Sequence, residues 1–319
     1  MPTEVLQVVE TKKSLFILFI AYEEADIAGA VGHVYSDSGK RDKGAVPPQV
    51  LDTNDTLRVM WASAKGAVWV GSADGNVGTT SSVRWPAPAK GTRYTTLSGS
   101  EWAVTALPRV KATGLRPNIT ALWGTGDSDV YAGTYGGHIY RWDGETWAQV
   151  YEGPGSGANT IRAFGGSPKD VYAVGLQSTI LHFDGREWRR LRAPEPTNGD
   201  HEGFTGVLRL PDGETLISGS GDEGRLIVGS AAGGFDEFGG SPLQLIDMAA
   251  MGERVLFATG DGVAELTGRD VKMIKSTFKT ATMNSGINRI FFIEPAQNTP
   301  SFIEYNPKID AAPWWRFTF

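Results

Sequence analysis

Hydrophobic positions along this chain fall in short runs of about four to seven residues separated by glycine-rich turns, and no 3.6-residue period is sustained over ten residues. That pattern predicts strands throughout. It is sharpest in residues 129–147 and 170–188, which superpose without a gap at an offset of 41. Both segments open with Asp-Val-Tyr-Ala, carry Ile139 or Ile180, turn at Asp143-Gly144 or Asp184-Gly185, and end on Trp147 or Trp188. Weaker copies of the unit start at Leu57, Gly206, Leu245 and Ile287, the last running into the aromatic strand 314–319. Residues 5–9, 15–22 and 30–35 supply strands for one more unit.

A single unit of this kind cannot bury both faces of its small sheet. Stacking the units radially buries them and removes most open edges, so the expected fold is an all-β propeller. Seven units average about 46 residues, within the usual range for blades. The expected single propeller domain, 1–319, divides at 1–54, 55–115, 116–157, 158–201, 202–240, 241–277 and 278–319 into seven four-stranded blades. Six blades is the alternative, if the first 55 residues share one sheet with the last segment. A two-sheet sandwich comes third, because it gives no reason for the fixed offset.

The phrase Asp170-Val-Tyr-Ala-Val-Gly175, followed by Ile180-Leu-His-Phe-Asp-Gly185 and Trp188, resembles bacterial β-propeller repeats of the WD-type and neuraminidase-repeat superfamily. The resemblance is specific over 119–191, loose over 57–118 and 204–319, and absent before 50. It implies a propeller. The superfamily holds hydrolases, lyases, assembly factors and pure binding proteins, so the fold does not choose a function.

Composition narrows the choice. Glycine, at 41 of 319 residues, is close to double its usual share of roughly 7%, as many tight turns require. The absence of cysteine excludes a disulfide framework, a thiolate metal site and a cysteine nucleophile. A net charge of −6 argues against nucleic acid as a partner. The apolar run 15–22 is too short to span a bilayer, and Glu4, Glu10, Glu23, Glu24 and Asp26 surround it where a secretory signal stays basic or uncharged. It is read as a buried strand, and the protein as cytoplasmic, without a membrane, and monomeric when free.

Catalytic patterns are weak. A sialidase carries Ser-x-Asp-x-Gly-x-x-Trp turns and an Arg-Ile-Pro, whereas here Asp and Gly are adjacent and Arg-Ile-Pro does not occur. Asp-Gly is therefore read as the hairpin turn it favours, and the tryptophans as packing between blades. His33, His138, His182 and His201 show no metal-ligand spacing. Asp127-Ser-Asp129 and Asp222-Glu223 lack the calcium-loop pattern. No nucleophile elbow or phosphate-binding glycine loop is present. Arg186, Arg189, Arg190 and Arg192 read as a solvated outer edge that discourages sheet-to-sheet association. No cofactor and no metal are expected.

The remaining signal is charge placement. In a propeller, the loops from second to third strand and the connections between blades share one face. The expected loops hold Glu23, Glu24, Asp26, Asp74, Asp222, Glu223 and Asp261 with no lysine or arginine, and Tyr135 and Gln177 sit among them. The connections between blades add Asp52, Asp55, Glu152, Glu195, Asp200, Glu202, Asp236 and Glu237 against Arg109, Lys111, Arg116, Arg192, Lys275 and Lys279, so that face carries a net −9 in a chain of −6, a layout that steers a basic partner. These nine residues are the expected partner-binding set. The function expected from them is a non-catalytic protein-binding propeller, in its most concrete form an immunity protein or antitoxin that occludes a basic bacterial toxin. The alternatives are a carbohydrate-active lyase or hydrolase using channel carboxylates, and a structural subunit of a phage or secretion assembly.

Overall fold

The computed structural model of the protein describes residues 3–12, 14–23, 26–37, 48–83, 85, 94–96, 101–195, 203–219, 223–295, 299–309 and 312–319. Their strands form one five-stranded and six four-stranded antiparallel sheets. Sheet 1 contains Thr3–Glu10, Leu15–Glu23, Asp26–Asp37 and Gln49–Thr53, with Tyr94–Thr96 added on its outer edge. Sheet 2 contains Leu57–Ala62, Val68–Ser72, Asn76–Thr79 and Ala103–Ala106; sheet 3, Ile119–Gly126, Asp129–Thr134, Ile139–Trp142 and Trp147–Tyr151. Sheet 4 contains Ile161–Ser167, Asp170–Gly175, Thr179–Phe183 and Trp188–Leu191; sheet 5, Phe204–Arg209, Thr215–Gly219, Gly224–Ser230 and Gly234–Ser241. Sheet 6 contains Leu245–Met251, Arg254–Thr259, Gly262–Thr267 and Asp270–Lys275; sheet 7, Thr282–Ser285, Ile290–Ile293, Ser301–Tyr305 and Trp314–Thr318.

The first strand of each sheet packs against the first strand of the next, and that of sheet 7 packs against that of sheet 1. This closed ring is a β-propeller. The expectation of seven four-stranded blades is met by six; the remaining sheet gains its fifth strand from the excursion between Asn76–Thr79 and Ala103–Ala106 in sheet 2. The run 15–22 lies in the second strand of sheet 1, where Leu15, Ile17 and Leu18 are fully buried.

The core is divided among the sheet–sheet contacts, each filled by its own apolar cluster. Tryptophans bridge neighbours as expected: the ring of Trp147 in sheet 3 lies 6.3 Å from that of Trp69 in sheet 2, and Trp188 in sheet 4 lies 5.9 Å from Tyr131 in sheet 3. Their Asp-Gly turns are built alike. Asp143 Oδ1 accepts from Glu145 N and Thr146 N while Gly144 takes φ +99°, and Asp184 Oδ1 accepts from Arg186 N and Glu187 N while Gly185 takes +93°. Sheets approach closely where the second strand carries glycine: a Cβ on Gly133 would stand 2.5 Å from Ile161 Cγ2 of sheet 4.

The offset of 41 has a chemical meaning. It superposes Arg141 on His182, and each bonds the aspartate that opens its own repeat: Arg141 Nε to Asp129 Oδ1 at 2.7 Å, and His182 Nε2 with Asp170 Oδ1 at 2.7 Å. One position thus holds two different partners for one conserved geometry. Asp129, considered above for calcium, also accepts from the Thr125 hydroxyl at 2.6 Å.

Candidate functional site

Each first strand leaves the end of the channel at which second strands finish, so the second-to-third loops and the sheet connections gather on one rim. The rim is stiffened by backbone hydrogen bonds between loops: Tyr135 N donates to Asn118 O at 2.9 Å and Gly155 N to Gly136 O at 2.9 Å. Tyr135 is 56% exposed. Its ring rests against Gly157, where an added Cβ would come within 2.0 Å of the phenol oxygen, so glycine there is what lets the tyrosine stand in this place. Leu115, on the connection into sheet 3, is 65% exposed. Its neighbour Arg116 reaches the carbonyl of Asp74 at 3.5 Å.

Asp74 lies in the turn before Asn76–Thr79 and is exposed, but it is not a simple acidic contact. A hydrogen bond with Asp55 on the connection from sheet 1, then burial, then repulsion from the Asp55 charge, push its carboxyl up to about 6, against the opposing pull of Arg116. Asp55 itself is buried and accepts from Asn76 Nδ2 at 2.7 Å. The pair therefore shares a proton below about pH 6 and presents less negative charge than two free carboxylates.

Gln177 and Ser178 adopt the left-handed conformation at φ +55° and +47°, unusual for residues other than glycine. The Gln177 side chain is exposed, and its carbonyl accepts from Arg190 Nη2 at 3.2 Å. Glu223 is exposed just before Gly224–Ser230, and Asp261 is exposed between Arg254–Thr259 and Gly262–Thr267. Glu23 and Asp26 pair across the turn of sheet 1. Glu24 and Asp222 lie outside the described residues.

The charge count of this face needs correction. Asp52, Asp236 and Glu237, taken from the sequence as connection residues, lie inside the strands Gln49–Thr53 and Gly234–Ser241. Glu237 Oε1 accepts from Arg225 Nε at 2.8 Å, so its charge is spent within sheet 5. Glu195 meets Arg192 at 3.5 Å. The structure thus leaves fewer free acids on the rim than turn composition alone suggested.

The channel itself encloses a cavity of about 870 Å³ between the first strands. Sequence reasoning missed its side chains for a specific reason. In sheets 2 to 6 the first strand carries a β-bulge after its opening residue, as where Ile161 pairs with Gly175 but Ala163 with Val174, and in sheet 1 the bulge falls between Val5 and Gln7. A bulge shifts the alternation of faces by one residue, and nothing in the residue pattern marks it.

No family model matches this chain, and no curated protein matches it. Solved structures do. The chain resembles the WD40 β-propeller domain of Doa1 with a TM-score of 0.64 at 10% identity, over 95% of this chain and 92% of that one. It resembles YCF48, solved bound to the D1 peptide, with a TM-score of 0.55 at 14% identity over 98% of both chains. It also resembles the extracellular domain of a one component system from B. thetaiotaomicron, with a TM-score of 0.56 at 11% identity. That match covers 91% of this chain but 37% of the other, so the chain spans little more than a third of that protein's length. At these identities the likeness establishes the propeller fold and nothing more.

Proposed function

We propose that the protein is a non-catalytic binding platform whose loop rim takes a protein partner. The observation that carries this reading is the combination, on one stiffened rim, of the exposed side chains Tyr135 and Leu115 with the exposed acids Glu223 and Asp261. Aromatic and aliphatic anchors ringed by polar groups are what a protein interface is made of. The likeness to YCF48, which was solved with a peptide bound, supports the same use of this fold.

The acids favour a basic partner through steering. A narrower form makes that partner a bacterial toxin neutralised by occlusion in the cytoplasm, with Glu23, Glu24, Asp26, Asp74 and Asp222 completing the acidic set and Gln177 contributing a contact. It rests on the same charges.

The test is a pull-down with the purified protein as bait, followed by binding kinetics on the captured partner. Changing Glu223 and Asp261 together to lysine is expected to slow association about tenfold at low salt and leave thermal stability intact. Association unchanged by that double substitution discards the acidic rim, and binding unaffected by Tyr135→Ala and Leu115→Ser discards the rim altogether.

A further inference from the structure

Behind the Tyr135 turn stands a histidine that the turn itself does not require. His138 is 4% exposed, and its Nδ1 accepts a hydrogen bond from Gly153 N at 3.1 Å. That bond ties the turn between the second and third strands of sheet 3 to the connection that leaves for sheet 4. One repeat later, at the offset of 41, Thr179 fills the place of His138, and its buried hydroxyl oxygen has no partner among the described residues. The turn therefore closes without such a bond, and the histidine adds something to it.

The contact has no slack. A Cβ on Gly153 would stand 2.4 Å from the backbone carbon of Gly137, and one on Gly137 would stand 2.9 Å from Asn159 O. Gly155 N is bonded to Gly136 O, and the Tyr135 ring lies on Gly157 of the same connection. Whatever moves residues 153–157 moves the floor under Tyr135.

An imidazole accepts at Nδ1 only while neutral, because the protonated ring carries an N–H at both nitrogens. Protonation would set an N–H of His138 against the N–H of Gly153 and place a cation in a buried site, two costs that fall on the closed turn. Burial lowers the His138 pKa from its ordinary 6.5, while the charge of Glu152 beside Gly153 pulls the other way. Of the other charged groups on the adjoining elements, Arg116 is held at the Asp74 carbonyl and Lys111 at that of Gln149. The remaining titratable groups there are the phenols of Tyr135, Tyr140 and Tyr151, and phenols are uncharged in acid. A histidine whose folded pKa is lowered contributes stability above its unfolded value and loses it as pH falls through the folded one.

We propose that His138 is an acid-operated latch on the rim: neutral, it holds residues 153–157 closed under Tyr135; protonated, it releases them, and the protein lets go of its partner. Release of the partner rests on the rim reading, whereas opening of the latch does not.

The latch is read on the purified protein by amide hydrogen exchange over residues 152–157 at about pH 7.5 and about pH 4.5, corrected for the intrinsic pH dependence of exchange. Wild-type protection of the Gly153 and Gly155 amides should fall at least about tenfold in acid. In His138→Asn, whose side-chain oxygen can accept the Gly153 N–H at either pH, protection should change less than about twofold. Nitrogen NMR of the wild type needs no variant: Nδ1 should be the bare ring nitrogen at neutral pH, and its protonation, with a midpoint below 6.5, should coincide with the loss of Gly153 protection. With a partner captured on the rim, affinity should fall at least about tenfold over the same range in the wild type and hold in His138→Asn. Equal protection at both pH values, a proton on Nδ1 at neutral pH, or the same acid loss in His138→Asn overturns the latch. An open latch with undiminished partner affinity overturns the release and, with it, the place of Tyr135 in the rim reading.

Discussion

Replacing Arg289 with methionine tests how the ring is closed. Sheets 1 and 7 come from opposite ends of the described chain and share no strand, so no strand ladder joins them and each contact between them uses at least one side chain. Arg289 bonds Glu10 of sheet 1 at 2.7 and 3.0 Å and stands 3.1 Å from Glu304 of sheet 7, over the ring of Phe291 at 5.1 Å. The side chains of Arg289, Glu10 and Glu304 are only 14%, 13% and 1% exposed. Around them Val5, Val8, Phe291 and Phe302 make the apolar part of the contact, and Asn284 Oδ1 accepts from Val8 N at 3.1 Å.

Methionine keeps much of the stem volume and removes the cation. Glu10 then keeps the Ile287 N–H at 2.7 Å, while Glu304, 1% exposed, loses the guanidinium that stood 3.1 Å away. Breaking a buried pair from one side costs about 3–5 kcal/mol. With an unfolding entropy of about 2.1 cal/mol/K per residue, a chain of this length loses about 1.5 °C per kcal/mol, so Tm should fall by roughly 4–8 °C. Urea unfolding followed by tryptophan fluorescence gives the free energy, and calorimetry the Tm. The decisive comparison is the triple variant Glu10→Gln, Arg289→Met, Glu304→Gln. Removing all three charges should recover more than half of the loss, because the penalty comes from stranded carboxylates. A single variant within about 0.5 kcal/mol of wild type, the ordinary size of a surface substitution, would refute the clasp. A triple variant as unstable as the single would refute the account of its energy.

Three further outcomes follow from geometry already described. The Asp74 carboxyl is raised from its ordinary 3.8 to about 6, so the folded state holds a proton that the unfolded chain has released over that window; stability contributed by this group is present below about pH 4 and is lost as pH rises to about 6. Because Asp74 is exposed, screening limits the effect to about 1 kcal/mol, and urea midpoints measured between pH 4 and 7 should show this slope in the wild type and lose it in Asp74→Asn. Gly133→Ala pushes a methyl within 2.5 Å of Ile161 Cγ2 at the contact of sheets 3 and 4, and should cost about 1–3 kcal/mol in equilibrium unfolding; a neutral result would mean that the sheets slide apart freely. Gly157→Ala should displace the Tyr135 ring, which can swing into solvent, so thermal stability should hold while partner affinity falls as far as in Tyr135→Ala.

The strands and turns of residues 129–188 were legible from residue pattern, since Asp-Gly at a hairpin and a tryptophan after it depend on neighbours a few positions away. The rim was legible in part. Tyr135, Gln177, Glu223 and Asp261 stand exposed beside turns, as turn residues should. The partnership of Asp74 with Asp55 joins residues from different sheets, and it changes the charge that composition had assigned to the rim. Asp236 and Glu237 looked like a connection because glycines surround them, yet the register with Gly224–Ser230 draws them into a strand.

What the sequence by itself determined is therefore the local unit: short apolar strands, the turns between them, and a repeat that must stack radially to bury its faces. Tertiary structure decided the rest. It put Arg289 between carboxylates from both ends of the described chain, laid Tyr94–Thr96 on the outer edge of sheet 1, and turned Arg162 into the channel at a bulge. The physical reason is range. Propensity and alternation act over a few residues, whereas a closed ring sets which distant groups meet and which charges are left without a counter-charge.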